Sequence, residues 1–196
     1  MNGRATPAPP ERIEVDETTC LRRLVPSDAG AIAQAVGASL EHLRPWMPWA
    51  GVQSADPEFQ RDRLCTLRQL EARGEEWQYG LFAAPGTLLG SFGLMTRRGP
   101  GTIEIGYWLH VDAVGHGHAT RAVEALSRVA RELEGVRTVV IYCDEANVRS
   151  AAIARRVGYR LSRIERRPPE APGESGRILV WELGPAPGAP PRPVDA

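Results

Sequence analysis

Thr102-Ile-Glu-Ile-Gly-Tyr-Trp-Leu-His-Val-Asp-Ala-Val-Gly-His-Gly-His-Ala-Thr-Arg121, continuing through Leu133, is the stretch whose reading decides the fold. Its first part is β-branched and aromatic, with Ile103, Ile105 and Tyr107 alternating, which predicts a strand. A loop of small residues follows, from Gly115 to Thr120. Beyond it, Ala119, Ala122, Val123, Leu126, Val129, Ala130 and Leu133 recur at helical spacing, so one face of a long helix is apolar. Strand, glycine loop and helix in that order aim unpaired N–H groups from the positive end of a helix dipole at an anion, pyrophosphate above all. The loop lacks the Gly-Lys-Ser/Thr ending of a nucleoside-triphosphate loop and misses the full dinucleotide fingerprint.

Outward from that stretch, the chain reads as alternating elements. Thr18–Leu24 is a strand, and Pro26-Ser27-Asp28 opens a helix whose face is Ala31, Ile32, Ala35 and Val36, before Gly37. Pro45-Trp-Met-Pro-Trp49 cannot be a continuous helix. Asp56-Pro57-Glu58 opens a second helix that reaches about Arg73. Trp77–Ala83 and Leu88–Thr96 form a hairpin around Pro85-Gly86, and Thr138–Cys143 is a nearly all-apolar buried strand. Asn147 caps a helix carrying Ala151, Ile153, Ala154 and Val157, and Tyr159–Glu165 and Ile178–Leu183 supply the last strands. The mixed order predicts an α/β (α+β) fold with a mostly antiparallel mixed sheet of about seven strands and about four helices. Residues 1–10 and 184–196, rich in Pro, Ala and Gly, read as disordered tails around one domain at 11–183.

With 196 residues there is room for one domain with a real core. Formal net charge is +0 with both signs well mixed, which disfavours a nucleic-acid or membrane surface driven by bulk charge. No apolar run approaches the roughly 20 residues a membrane span needs, and no signal-peptide core stands at the N-terminus. The odd, scattered Cys20, Cys65 and Cys143 read as reduced thiols, so the expected location is cytoplasmic. His116-Gly-His118 lacks neighbouring carboxylate or thiolate ligands, so no metal is expected there.

Two motifs together carry a resemblance. Val114-Gly-His-Gly-His-Ala119 and Asn147-Val-Arg-Ser150, the latter followed by a helix and Gly158-Tyr159, resemble the signature segments of the GCN5-related N-acetyltransferases. The match is best to the branch of ribosomal-protein and amino-acid N-acetyltransferases. The small positions fit its Gln/Arg-x-x-Gly-x-Gly/Ala pattern, whereas Val114 stands where a polar or basic residue is usual.

The resemblance implies an acetyl-CoA-dependent enzyme acting on a protein N-terminus, an amino acid or a small amine, in a fold that splays between the central strand and the next. It implies that Gly115, His116, Gly117, His118, Ala119 and Thr120 meet the pyrophosphate, and that the backbone of Leu109, His110 and Val111 pairs with the pantetheine arm. Asn147 would touch the cofactor, Ser150 would protonate the leaving thiolate, and Glu104 would act as general base, directly or through water. Read as residues alone, Glu104 is an outward-facing strand position and Asn147 a helix cap. Trp46 and Trp49 are either a brace over the core or the wall of an acceptor pocket. The rival to an enzyme is a non-catalytic acyl-CoA-binding or sensing module. Expected partners are acetyl-CoA and an amine, with no nucleic acid or membrane; a homodimer is compatible with the reading.

Overall fold

A computed structural model describes residues 8–184 except position 85. The readings of 1–7 and 185–196 as disordered lie outside the described residues. Within the expected first tail, Pro9 is buried. Its carbonyl accepts from Arg23 Nη2 at 2.6 Å, and the Pro10 carbonyl accepts from Tyr79 Oη at 2.7 Å. These bonds lead the chain into β1 (Arg12–Glu14), which pairs antiparallel with β2 (Thr19–Arg23) and which the sequence reading lacked. Three residues are too few to show a period; β1 exists because Ile13 is buried opposite Leu21.

Helix α1 (Ala29–Leu43) runs past Gly37, where the sequence reading stopped it. Leu40 and Leu43 prolong its apolar face, and the chain leaves the helix just before Pro45. A Cβ at Gly37 would stand 3.4 Å from that of Ala55, so the bare turn lets the next segment lie close. Helix α2 (Pro57–Ala72) begins as its sequence dictates: Asp56 Oδ1 accepts from the N–H groups of Glu58 and Phe59 at 2.8 and 2.9 Å.

The remaining elements are β3 (Glu76–Ala83), β4 (Thr87–Met95), β5 (Thr102–Leu109), α3 (His118–Glu132), β6 (Thr138–Asp144), α4 (Val148–Val157), β7 (Arg160–Arg166) and β8 (Arg177–Leu183). They complete an 8-stranded sheet in the order β1-β2-β3-β4-β5-β6-β8-β7, one strand more than expected. Every pairing is antiparallel except β5 with β6. Alternation divides the core into two. Trp77, Tyr79, Leu81, Phe92, Leu94, Ile103 and Ile105 pack with Ala122, Val123 and Leu126 of α3 and Ala151 and Ala154 of α4. On the other face Leu24, Phe82, Leu88 and Trp108 pack with Ile32 and Val36 of α1 and Leu64 of α2. Each fully buried large side chain among these contributes about 1.5–3 kcal/mol.

The parallel pairing is short. Only Thr102, Ile103 and Glu104 find partners, opposite Thr138, Val139 and Val140. Past Glu104 the two strands part, and β6 keeps its other neighbour, β8, through Asp144. The end of β5 is held from the β4 side instead, where Gly90 opposes Leu109. A Cβ at Gly90 would lie 2.3 Å from the Trp108 carbonyl oxygen, a backbone atom that cannot move without shifting the strand. Gly90→Ala should therefore cost about 1–3 kcal/mol and lower the melting temperature by several degrees. Thermal unfolding followed by circular dichroism checks this, and an unchanged midpoint would mean that the strand end tolerates the shift.

Candidate active site

Where β5 and β6 diverge, two cavities meet. A narrow one of about 120 Å³ lies between α1, the end of β5, α3 and α4, with mostly apolar walls that include Leu43, Leu109, Val114, Ala119 and Ile153. A broad cleft of about 580 Å³ extends along the sheet face that carries Glu104, Gly106 and Trp108, under the Trp46–Trp49 segment. Six residues border both: Trp46, Met47, Tyr107, Trp108, Asn147 and Ser150. At this junction Tyr107 Oη lies 2.8 Å from Ser150 Oγ. Burial raises the Tyr107 pKa well above that of a free phenol, against a smaller opposing effect of the Ser150 bond, so its proton stays on oxygen. The ring is fixed by stacking on Phe92, with centroids 5.7 Å apart. Asn147 caps α4 as its sequence suggests, its Oδ1 accepting from the Ser150 N–H at 3.1 Å. The cap sets where the Ser150 hydroxyl stands.

The exposed edge of β5 differs from the expected one. His110 N–H is spent on the Leu89 carbonyl at 2.8 Å, and Val111 N–H on Ser39 Oγ at 3.0 Å. By strand alternation the N–H groups of Tyr107 and Leu109 face the gap instead, that of Ile105 being taken up by the last parallel pair with Val140. Of the three residues expected to pair with an extended ligand, only Leu109 keeps its N–H for one. His110 borders a separate depression with Thr87, Leu88, Asp112, His116 and His118.

The glycine loop is open. Gly115 and Gly117 have φ of 89° and 78°, the left-handed region glycine favours, and a Cβ at Gly115 would meet nothing within 4 Å. Gly117 is the N-cap of α3 and supplies no side-chain cap, in contrast to Asp56 on α2 and Asn147 on α4. Free N–H groups of the first turn, at His118, Ala119 and Thr120, thus point at the loop. Arg121 crosses it, its Nη1 donating to the His116 carbonyl at 3.2 Å and its Nε to Asp16 Oδ2 at 2.8 Å. Its Nη2 lies 3.1 Å from His118 Nδ1, and burial together with the nearby Arg121 lowers the His118 pKa, favouring the neutral ring. Val114 is an apolar wall of the narrow cavity. This arrangement fits a diphosphate at the loop and a slender thioester arm beyond it.

Across the cleft, the floor is opened by Gly93 and Gly106, register partners on β4 and β5. A Cβ at Gly93 would meet Gln78 Oε1 at 2.6 Å. Trp46 and Trp49 line the cleft, and Trp49 tilts against Trp108 at 6.1 Å while remaining 40% exposed. The β7–β8 loop closes one side: Gly173 N–H donates to the Pro45 carbonyl at 2.9 Å.

Glu104 lies on the cleft floor, 4% exposed, three residues from Tyr107 and on the opposite face of β5. Arg97 Nε and Nη2 donate to its two oxygens at 2.9 and 2.5 Å, and Arg98 Nε adds a third bond at 2.5 Å. Burial alone would raise its pKa; the two guanidiniums overcome that and hold it below the ordinary carboxylate range. A carboxylate so held keeps its charge and accepts a proton poorly near neutrality. Sequence reasoning missed this pairing, and it missed Tyr107.

The acetyltransferase (GNAT) domain family model matches residues 19–160. No curated protein sequence matches the chain. Among solved structures, RimL, a ribosomal L7/L12 alpha-N-protein acetyltransferase in complex with coenzyme A, superimposes with a TM-score of 0.80 at 24% identity, covering 89% of this chain and 98% of that one. The ribosomal-protein-S5-alanine acetyltransferase from Vibrio fischeri gives 0.81 at 20% identity, with 91% and 99% covered. The microcin C7 self-immunity acetyltransferase MccE, in complex with acetyl-CoA and AMP, gives 0.79 at 17% identity, with 93% and 99% covered.

The ion cluster at Glu104 has a consequence for stability. With the folded pKa lowered, the charged form stabilises the fold at pH values above the unfolded-state pKa of roughly 4.3, and this contribution is lost as pH falls through the folded value. Glu104→Gln should melt below the native chain at pH 7, and the gap should close on acidification toward pH 3. A gap independent of pH would show that shape rather than charge at position 104 matters.

Proposed function

The chain belongs to the acetyltransferase (GNAT) domain family, and from that premise we propose an acetyl-CoA-dependent N-acetyltransferase that transfers acetyl directly to the N-terminal amine of a protein in a ternary complex. One observation carries this reading. A narrow apolar cavity and a broad polar cleft meet in the strand gap at six shared residues, two of which, Tyr107 and Ser150, are joined through their hydroxyl groups. Two substrates of different shape can thus reach one point through separate cavities.

In this reading the N–H groups at the start of α3 and in the Gly115–Gly117 loop hold the donor's diphosphate. The β5 edge at Tyr107 and Leu109 pairs with the pantetheine arm as an added strand, and one of its N–H groups polarises the thioester carbonyl. The acceptor amine approaches along the cleft, between Trp46, Trp49 and the glycine floor. Ser150 Oγ–H gives its proton to the departing thiolate and takes one back from the water of the cleft, which receives the amine's proton. Tyr107 keeps that hydroxyl aimed: as its own proton is held firmly, it donates to Ser150 Oγ and leaves the serine hydrogen free to point at sulfur. Glu104, committed to Arg97 and Arg98, supplies fixed charge on the acceptor side, and the amine's proton leaves into the water of the open cleft.

Acetyl-CoA-dependent CoA release, measured over a panel of N-terminal peptides and small amines, tests the activity; binding of acetyl-CoA without release on any amine would favour a sensing module. Ser150→Ala should lower kcat by about a hundredfold with little change in KM for acetyl-CoA. Tyr107→Phe should lower kcat by about tenfold, and the double variant should be no slower than Ser150→Ala, because both act through one proton. Multiplying losses, or near-native rates, would remove this assignment. Glu104→Gln should lose less than about tenfold; a hundredfold loss with a missing acidic limb in the pH–rate profile would restore it as the base.

A further inference from the structure

At the far end of the cleft lie two charged groups that the scheme above does not use. Arg63, from α2, and Glu76, the first residue of β3, both line it, and both are half-buried. Neither forms an ion pair or a side-chain hydrogen bond among the described residues. Their neighbours differ: Arg97 and Arg98 are tied to Glu104, and Glu174 to the backbone of Glu170 and Ala171. Arg63 and Glu76 attract each other only at a distance. A desolvated guanidinium and a desolvated carboxylate that stay apart are costly unless a third group satisfies them.

Register fixes where they stand. Glu76 opposes Met95, and Met95 opposes Glu104, so Glu76 shares the cleft face of the sheet two strands from β5. Two strand spacings are about 10 Å, and Tyr107 lies three residues farther along β5, about another 10 Å. The diagonal from Glu76 to the junction is thus roughly 15 Å, which an extended chain spans in four to five residues at about 3.3 Å each. A small amine held at the junction does not reach it.

We propose that Arg63 and Glu76 form an acceptor subsite that grips the N–H and C=O of one residue of an extended peptide some four residues from its reacting N-terminus. The guanidinium donates to the peptide carbonyl, and the carboxylate accepts from the peptide N–H. This rests on the N-acetyltransferase reading and narrows its acceptor to chains long enough to cross the Gly93–Gly106 floor. A donor and an acceptor held apart on one wall of the cleft match the C=O and N–H that a residue of an extended chain turns to the same side, better than they match a lone cation or anion. Burial raises the Glu76 pKa against the pull of Arg63 and Arg97, with Glu104 adding to the rise, consistent with a carboxylate short of donors.

The test uses C-terminally amidated, serine-headed oligoalanine peptides of two to seven residues, with kcat/KM measured for each at saturating acetyl-CoA. In the native chain kcat/KM should rise by about tenfold or more between two and five residues, as expected for hydrogen bonds to charged groups, and then level off. The five-to-two ratio should fall to near one in both Glu76→Ala and Arg63→Met; being a ratio within one variant, it is insensitive to a general loss of folded protein. A flat length dependence in the native chain, or a steep one that survives both substitutions, overturns the subsite. Turnover of small amines but of no peptide would overturn the subsite and leave acetyl transfer standing. Failure on every amine would remove the acetyl-transfer reading and this inference with it.

Discussion

Three residue pairs hold β5 to β6, and then the strands separate. Everything proposed for this protein depends on that parting. It leaves the N–H and C=O groups of Tyr107 and Leu109 without a strand partner in the middle of a sheet, where such groups are normally paired. A sheet interrupted in this way holds together only if each half is fixed from elsewhere. β4 holds β5 along its other edge, β8 does the same for β6, and α3 and α4 lie under the junction with their small residues Ala122, Ala151 and Ala154 fully or almost fully buried. In the proposed scheme an extended ligand completes the sheet in this gap.

Electrostatics divides the site into a part that holds charge and a part that holds protons. Glu104 is buried under two guanidiniums and stays ionised. Tyr107 is buried against Phe92 with one hydroxyl partner and stays neutral. Loss of water raises both pKa values, but only Glu104 has cations beside it, and they reverse its shift. That contrast is why the hydroxyl pair, rather than the carboxylate, stands in the proposed scheme as the group that moves a proton.

Much of this was legible in the sequence. The period change from two to 3.6 across Thr102–Leu133 gave the strand, the loop and the helix, and Asn147-x-x-Ser150 gave the helix cap at the junction. What stayed hidden depends on residues distant in sequence. Tyr107 reads as one more alternating apolar position on a strand, and only the tertiary fold brings it to Ser150, 43 positions on. Arg97 and Arg98 lie between β4 and β5, and the signal available was two arginines six and seven residues ahead of a strand glutamate. β1 was too short to carry a period, and Gly37 was read as a stop although the apolar face beyond it continues. The expected backbone contacts at His110 and Val111 failed for a similar reason, since Leu89 and Ser39 reach them from other elements.

The central claim is that donor and acceptor reach one point through two cavities that meet in the strand gap. The affinity of a bisubstrate compound tests it most directly: CoA sulfur joined through an acetyl bridge to the α-amine of a five-residue peptide, measured by titration calorimetry against CoA alone. If the two cavities meet as described, the linked compound places both halves at once and should bind about a hundredfold or more tightly than CoA, because the second contact is made without a second loss of translational freedom. Affinity no better than that of CoA would mean that the peptide half finds no site in line with the gap, and would contradict the account.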